Sequence, residues 1–174
     1  MQNKDKKIDE IIRVNHAGEH GAQVIYNSQI KFSNDIKLKK KLKKIAQEEL
    51  VHYDYFNEQI QKNRTRPTLM RPVWNIGGYA LGFVTSVLGE KYVHACTEAV
   101  EEVIVEHYLE QIEYLKKNKK NKDIQAKIKQ FCDEEENHKK YAAANYDDGN
   151  VSLKIFKKFT REVTKAAIRI SKKI

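Results

Sequence analysis

A carboxylate and an imidazole three residues apart share one face of a helix and can reach a common point. Together they suit iron or manganese as ligands. The chain carries this pair twice, as Glu49 with His52 and as Glu135 with His138. A single Glu-x-x-His is weak, because so short a motif arises by chance. The surroundings add weight. Leu38, Leu42, Ile45 and Phe56 follow a 4-3-4-3 rhythm whose missing members are positions 49 and 52. Ile124, Ile128, Phe131 and Ala142 do the same around 135 and 138. Both pairs therefore fall in the stripe a helix would bury.

Each pair is preceded by one glutamate on the helix before it, Glu19 and Glu101, within the inward stripes Ile8, Ile12, Ala22, Tyr26 and Ile104, Tyr108, Leu115. Burying an unpaired carboxylate costs several kcal/mol or forces it to protonate. Four carboxylates and two imidazoles at one level of an apolar core require compensating cations. A buried salt-bridge network is the structural alternative, but these four helices offer no inward Lys or Arg to build one. The pattern predicts a pair of iron or manganese ions, with Glu19 and Glu101 as terminal ligands, His52 and His138 as one imidazole per metal, and Glu49 and Glu135 as bridges.

Such ligands need rigid, parallel-packed rods. Two prolines and seven glycines in 174 residues favour long helices. We read helices over about 9–32, 35–62, 90–118, 123–146 and 151–174. A linker covers 63–72, broken by Pro67 and Pro72, and an uncharged, partly helical segment covers 72–89. The second and fourth helices match at an offset of 86 residues, the first and third at 82. The expected fold is all-α: a single ferritin-like four-helix bundle of two repeated hairpins (about 8–62 and 90–146), with an apolar crossover and an amphipathic C-terminal helix. Tyr26 and Tyr108 repeat each other about 10 Å along the axis from their glutamates. With His107 they are candidates for an electron or proton relay, although packing around a satisfied hydroxyl explains the tyrosines as well. His16 and His20 flank Glu19 and read as supporting or surface groups.

Net charge is +9, which fits an anionic partner surface or simply a solvated one. Cys96 and Cys132 lack metal-site spacing and read as free thiols. The charged opening stretch MQNKDKKIDE predicts no secretory signal. Residues 72–89 are a poor spanning helix but a suitable membrane-facing segment, with Trp74 and Tyr79 fit for an interface. In the last helix Phe156, Phe159, Val163, Ala167, Ile170 and Ile174 share one side, and seven Lys and Arg cover much of the remainder. That pattern fits a basic helix on anionic lipid and fits equally a fifth helix packed on the bundle.

IIRVNHAGEHGAQVIY, RPTLMRPVWNIGGYALG, ACTEAVEEVIVEHYLEQI and DEEENH, with the first Glu-x-x-His, resemble the demethoxyubiquinone hydroxylases of the ferritin-like superfamily. The resemblance runs from about Ile8 to the C-terminus and shows no departure at the six ligand positions. It implies a di-iron monooxygenase that hydroxylates the ring of a polyprenyl quinone with O2, NADH being the candidate reductant. It also implies monotopic membrane association; with an opening stretch unlike a secretory or transit peptide, the expected place is the cytoplasmic face of the inner membrane, and a homo-oligomer or other ubiquinone-biosynthesis proteins are candidate partners. Nucleic acid is not an expected partner. The rivals are another ferritin-like di-iron protein (an iron-oxidising store or a peroxidase) and a basic helical nucleic-acid-binding module. A rubrerythrin-like peroxidase would bring a cysteine-rich iron site. A nucleic-acid module would leave six inward ligands unexplained.

Overall fold

The computed structural model describes residues 5–174; residues 1–4, part of the charged opening stretch, lie outside the described residues. Helices α1 (Lys6–Phe32), α2 (Ile36–Lys62), α3 (Arg71–Leu88), α4 (Glu90–Lys117), α5 (Lys122–Ala144) and α6 (Val151–Lys173) make an all-α chain. Caps set several of the starts. Asp5 accepts from the Lys7 N–H and Asp35 from the Leu38 N–H, each satisfying a first-turn donor. Asn150 does the same for Ser152, so the DDGN turn does start a helix.

The uncharged segment expected to be short and partly helical is a complete helix of 18 residues. Pro72 lies in its first turn rather than in the linker, where a missing N–H breaks no helical bond. Gly89 alone separates α3 from α4, at φ 101°, a conformation that favours glycine. None of the described helices is long and apolar enough to cross a membrane.

The residues group into two compact units, one holding the chain through Glu90 together with Ala166–Ile174, the other Lys91–Lys165. In the first unit α2 returns along α1, with the Gln23 amide donating to the Ala46 carbonyl at 2.6 Å. Ile11, Ile12, Leu42, Ile45 and Phe56 are its fully buried members, each worth about 1.5–3 kcal/mol of transfer free energy. Helix α3 then runs parallel to α1, with contacts advancing along both from His20–Asn75 to Gln29–Thr85. This seam is tight. A Cβ on Gly82 would fall 2.5 Å from the Ile25 carbonyl oxygen and 2.6 Å from Ser28 Cβ. Ser28 donates to the Tyr79 carbonyl at 2.8 Å and Ser86 to the Gln29 carbonyl at 3.2 Å. The last turns of α6 join this unit through Trp74 Nε1 to Ser171 Oγ and Thr68 Oγ1 to the Ile174 carbonyl.

In the second unit Tyr108, Leu115, Ile128, Phe131 and Leu153 form the core. Here the first two-thirds of α6 run parallel to α4 and are held by charge. Lys157 meets Glu98 at 2.7 Å, Arg161 meets Glu102 at 2.8 Å and Lys165 meets Glu106 at 3.5 Å. The internal repeat therefore includes a third helix. Glu98, Glu102 and Glu106 stand 82 residues after His16, His20 and Val24. Those three meet Arg71, Asn75 and Gly78 of α3.

This ladder bears on the two readings of the last helix. Lys157, Arg161 and Lys165 pair with carboxylates of α4, as a helix packed on its neighbour would. The apolar stripe turns outward instead, with Ile155 65 % and Phe159 62 % exposed beside Val151 and Val163. Phe156 is half-buried, edge-on to Tyr92. Helix α3 also presents apolar residues outward: Ile76 is 74 % and Val87 66 % exposed, and Val73, Phe83, Val84 and Leu88 are exposed with them.

Candidate metal centre

Helix periodicity brings the predicted ligands inward. In the first unit α1 contributes Glu19 and α2 contributes Glu49 and His52, all buried. Each offers a ligand atom within 4.8 Å of the others. His52 Nδ1 lies 3.8 Å from Glu19 Oε2 and 3.7 Å from Glu49 Oε2. Two donors each about 2.1 Å from one ion stand roughly 3–4 Å apart, so this set has the spacing of ligands around a cation. In the second unit α4 contributes buried Glu101, and α5 contributes buried Glu135 and His138, whose Nδ1 lies 3.1 Å from Glu135 Oε2. Carboxylate and imidazole donors in dry surroundings fit iron or manganese. A divalent ion also offsets the desolvation cost of burying them.

The relay candidates are buried as well. Tyr26 belongs to the first unit, Tyr108 and His107 to the second. By helical rise Tyr26 and Tyr108 sit about 10 Å along their helices from Glu19 and Glu101. His107 Nε2 pairs with the Gln111 side chain at 2.7 Å.

His16 is more deeply placed than a surface group. It is buried and stacks on Tyr53, ring centroids 5.0 Å apart. Burial, then the Arg71 and His20 charges, lower its pKa to about 4, with the nearby Asn57 side chain acting the other way. Burial lowers His20 too, opposed by its hydrogen bond to Asn75. Tyr53, Asn57, Arg71 and Asn75 form a polar cluster beside the ligands that the sequence did not suggest. The Glu98–Lys157 pair was also missed, although Glu98, Glu102, Glu106 and Lys157, Arg161, Lys165 share a four-residue spacing that matches rung for rung. Burial works against the Lys157 charge, but hydrogen bonds to Glu98, Tyr146 and Asp148 outweigh it and hold the ammonium above the ordinary lysine range. Burial, reinforced by the Glu101 charge, pushes the Cys96 thiol up to about 12, so it stays protonated and inert.

Two helical repeats, each carrying one buried glutamate and one buried Glu-x-x-His, define the class: an all-α, ferritin-like protein of the carboxylate–histidine kind. Within it, the chain belongs to the family of the ubiquinone biosynthesis protein COQ7, whose profile matches residues 6–171. It is similar to the NADPH-dependent 3-demethoxyubiquinone 3-hydroxylase, mitochondrial, of Dictyostelium discoideum, 34 % identical over 98 % of this chain and 79 % of that protein. The Homo sapiens protein of the same name is 41 % identical over 75 % of this chain. The 3-demethoxyubiquinol 3-hydroxylase of Rhodospirillum rubrum is 39 % identical over 79 %. The matches span 61 % of the human relative and 65 % of the R. rubrum one.

Proposed function

We propose that the chain is a hydroxylase of ubiquinone biosynthesis that uses O2 to hydroxylate the benzoquinone ring of a demethoxyubiquinone-type polyprenyl quinone. The observation that carries this is the duplicated buried glutamate and Glu-x-x-His in a chain of a family whose curated members are named as hydroxylases of that quinone. In this reading Glu19, Glu49 and His52 of the first unit and Glu101, Glu135 and His138 of the second would be the ligands of two iron ions. Iron held there supplies the redox chemistry that activates O2.

The protein's own part is to bind, orient and exclude water. The buried carboxylates would hold the iron, and Ile12, Ile45, Phe56, Ile128 and Phe131 keep the surroundings dry. Tyr26, Tyr108 and His107 are proposed to pass electrons or protons along α1 and α4. A reduced nicotinamide dinucleotide is the proposed electron source, NADPH being in the names of several relatives. The quinone's isoprenoid tail places the substrate in a bilayer, and the outward apolar faces of α3 and α6 support peripheral attachment to one. We place that attachment on the cytoplasmic face of the inner membrane. An iron store needs no such surface.

The test is to load the protein with ferrous iron under anaerobic conditions, then add 18O2 and a short-chain demethoxyquinone. The expected product is the ring-hydroxylated quinone with one 18O atom, absent for Glu135→Ala. Product formation by Glu135→Ala at the wild-type rate would overturn the site assignment.

A further inference from the structure

We infer that the outward face of α3 lies on a bilayer whose anionic phosphate head groups are held by the lysines at the start of α2. This rests on the bilayer attachment proposed above, and names the lipid charge, the face and the cations that recognise it.

Helix α3 reverses the usual amphipathic order. Its small and polar residues face α1: Gly78 and Gly82 pack against that helix, and Thr85 and Ser86 bond to Gln29. Val73, Ile76, Ala80, Phe83, Val84 and Val87 recur at helical spacing on the other side, and all are exposed. An uncharged stripe about 20 Å long marks a contact surface. None of the described helices is long and apolar enough to cross a membrane, so contact in the plane of the interface is the form that fits.

The charge beside the stripe selects the occupant. The stripe's second half meets the end of α1, where Phe32 packs edge-on against Tyr79 and Phe83, ring centroids 5.7 and 4.8 Å apart. Lys31 donates to the Tyr79 hydroxyl there at 3.2 Å. After a turn of three residues α2 begins, so residues 31–44 hold seven lysines against one aspartate. Asp35 is engaged in capping α2. Leu38 and Leu42 of the run are buried, whereas Lys37, Lys40, Lys43 and Lys44 are exposed. A second copy of the chain would bring net positive charge to this positive edge, which like-charge repulsion opposes. A bilayer with anionic phosphates offers opposite charge and an apolar interior at one surface.

The test is flotation of the full chain with phosphatidylcholine vesicles, with and without phosphatidylglycerol. Anionic vesicles should bind the chain more tightly, and raising salt should shrink the difference. A lysine near an anionic surface is worth about fivefold in affinity. Lys37→Gln, Lys40→Gln, Lys43→Gln and Lys44→Gln combined should therefore weaken binding to anionic vesicles by about thirtyfold or more. Removing the same charge from the second unit, by Lys116→Gln, Lys117→Gln, Lys122→Gln and Lys129→Gln combined, should weaken it by less than about threefold. Val84→Glu, with helical circular dichroism unchanged, should lower binding to both kinds of vesicle by about tenfold. Equal binding to neutral and anionic vesicles, equal losses in the two lysine sets, or full binding by Val84→Glu would each overturn the inference. A chain that ignores vesicles and sediments as a dimer would give the stripe to a second copy and overturn it too. Each of these failures leaves the hydroxylase reading standing, because iron binding and 18O transfer to a short-chain quinone need no bilayer.

Discussion

The α1–α3 and α4–α6 seams solve one problem in two ways. In each unit a third helix lies parallel to the helix that supplies the lone glutamate, and equivalent positions meet. In the first unit the helices touch at backbone distance, through Gly78 and Gly82 and neutral hydrogen bonds from Ser28, Gln29 and Ser86. In the second unit long charged side chains span the gap, and the best-buried rung is Lys157 between Glu98 and Asp148. Close packing tolerates no added volume but ignores salt. An ion-pair ladder tolerates volume but depends on both partners and on screening. The difference also decides what each third helix shows outward. Neutral contacts let α3 stay uncharged from Pro72 to Gly89. The ladder lets α6 carry many cations and still present Val151, Ile155, Phe159 and Val163 to its surroundings.

The contrast can be broken most severely at Gly82. Gly82→Leu forces a large side chain into a space where even a Cβ overlaps backbone, and should cost more than about 3 kcal/mol, read from chemical denaturation. An unchanged midpoint would mean that the α1–α3 seam is not close-packed. Next, Glu98→Gln leaves the buried Lys157 with weaker compensation and should cost about 1–3 kcal/mol. Glu102→Gln, at a more exposed rung, should cost less than about 1 kcal/mol. Raising salt should shrink the Glu102→Gln effect and leave the Gly82→Leu effect as it was.

The last effect is that of pH and is confined to acid. His16 has its pKa lowered on folding, from 6.5 to about 4. Between those values the unfolded chain binds the proton and the folded one does not, so stability falls as pH drops through this window and levels off below it. His16→Gln should flatten the part of the acid loss that comes from this position, measured as melting temperature against pH. An identical pH profile in the variant would show that other groups carry the loss.

Much of the site was legible because its determinants are local. Positions 49, 52, 135 and 138 interrupt apolar stripes of helical period, and the 82- and 86-residue offsets tie the halves together. The burial of Glu19, Glu49, His52, Glu101, Glu135 and His138 follows from that period alone. The polar cluster around His16 was hidden because Arg71 and Asn75 come from a segment whose low charge marked it as a crossover rather than as a partner of α1. The third helix of each repeat escaped notice for a similar reason. The chemistry of α3 and that of α6 share almost nothing, and only their partners reveal the equivalence.

The sequence by itself determined where every described helix but α3 runs, the duplication of the chain and which acids and imidazoles turn inward, because each of these is written in spacing along a single helix. Only the tertiary structure decided which side of α6 faces protein. An amphipathic helix has two ordered faces, and its periodicity does not say which one finds a partner. The carboxylates of Glu98, Glu102 and Glu106, spaced on α4 to match Lys157, Arg161 and Lys165, drew those three cations onto α4 and left Val151, Ile155, Phe159 and Val163 outside, with Lys154, Lys158 and Arg169 exposed beside them.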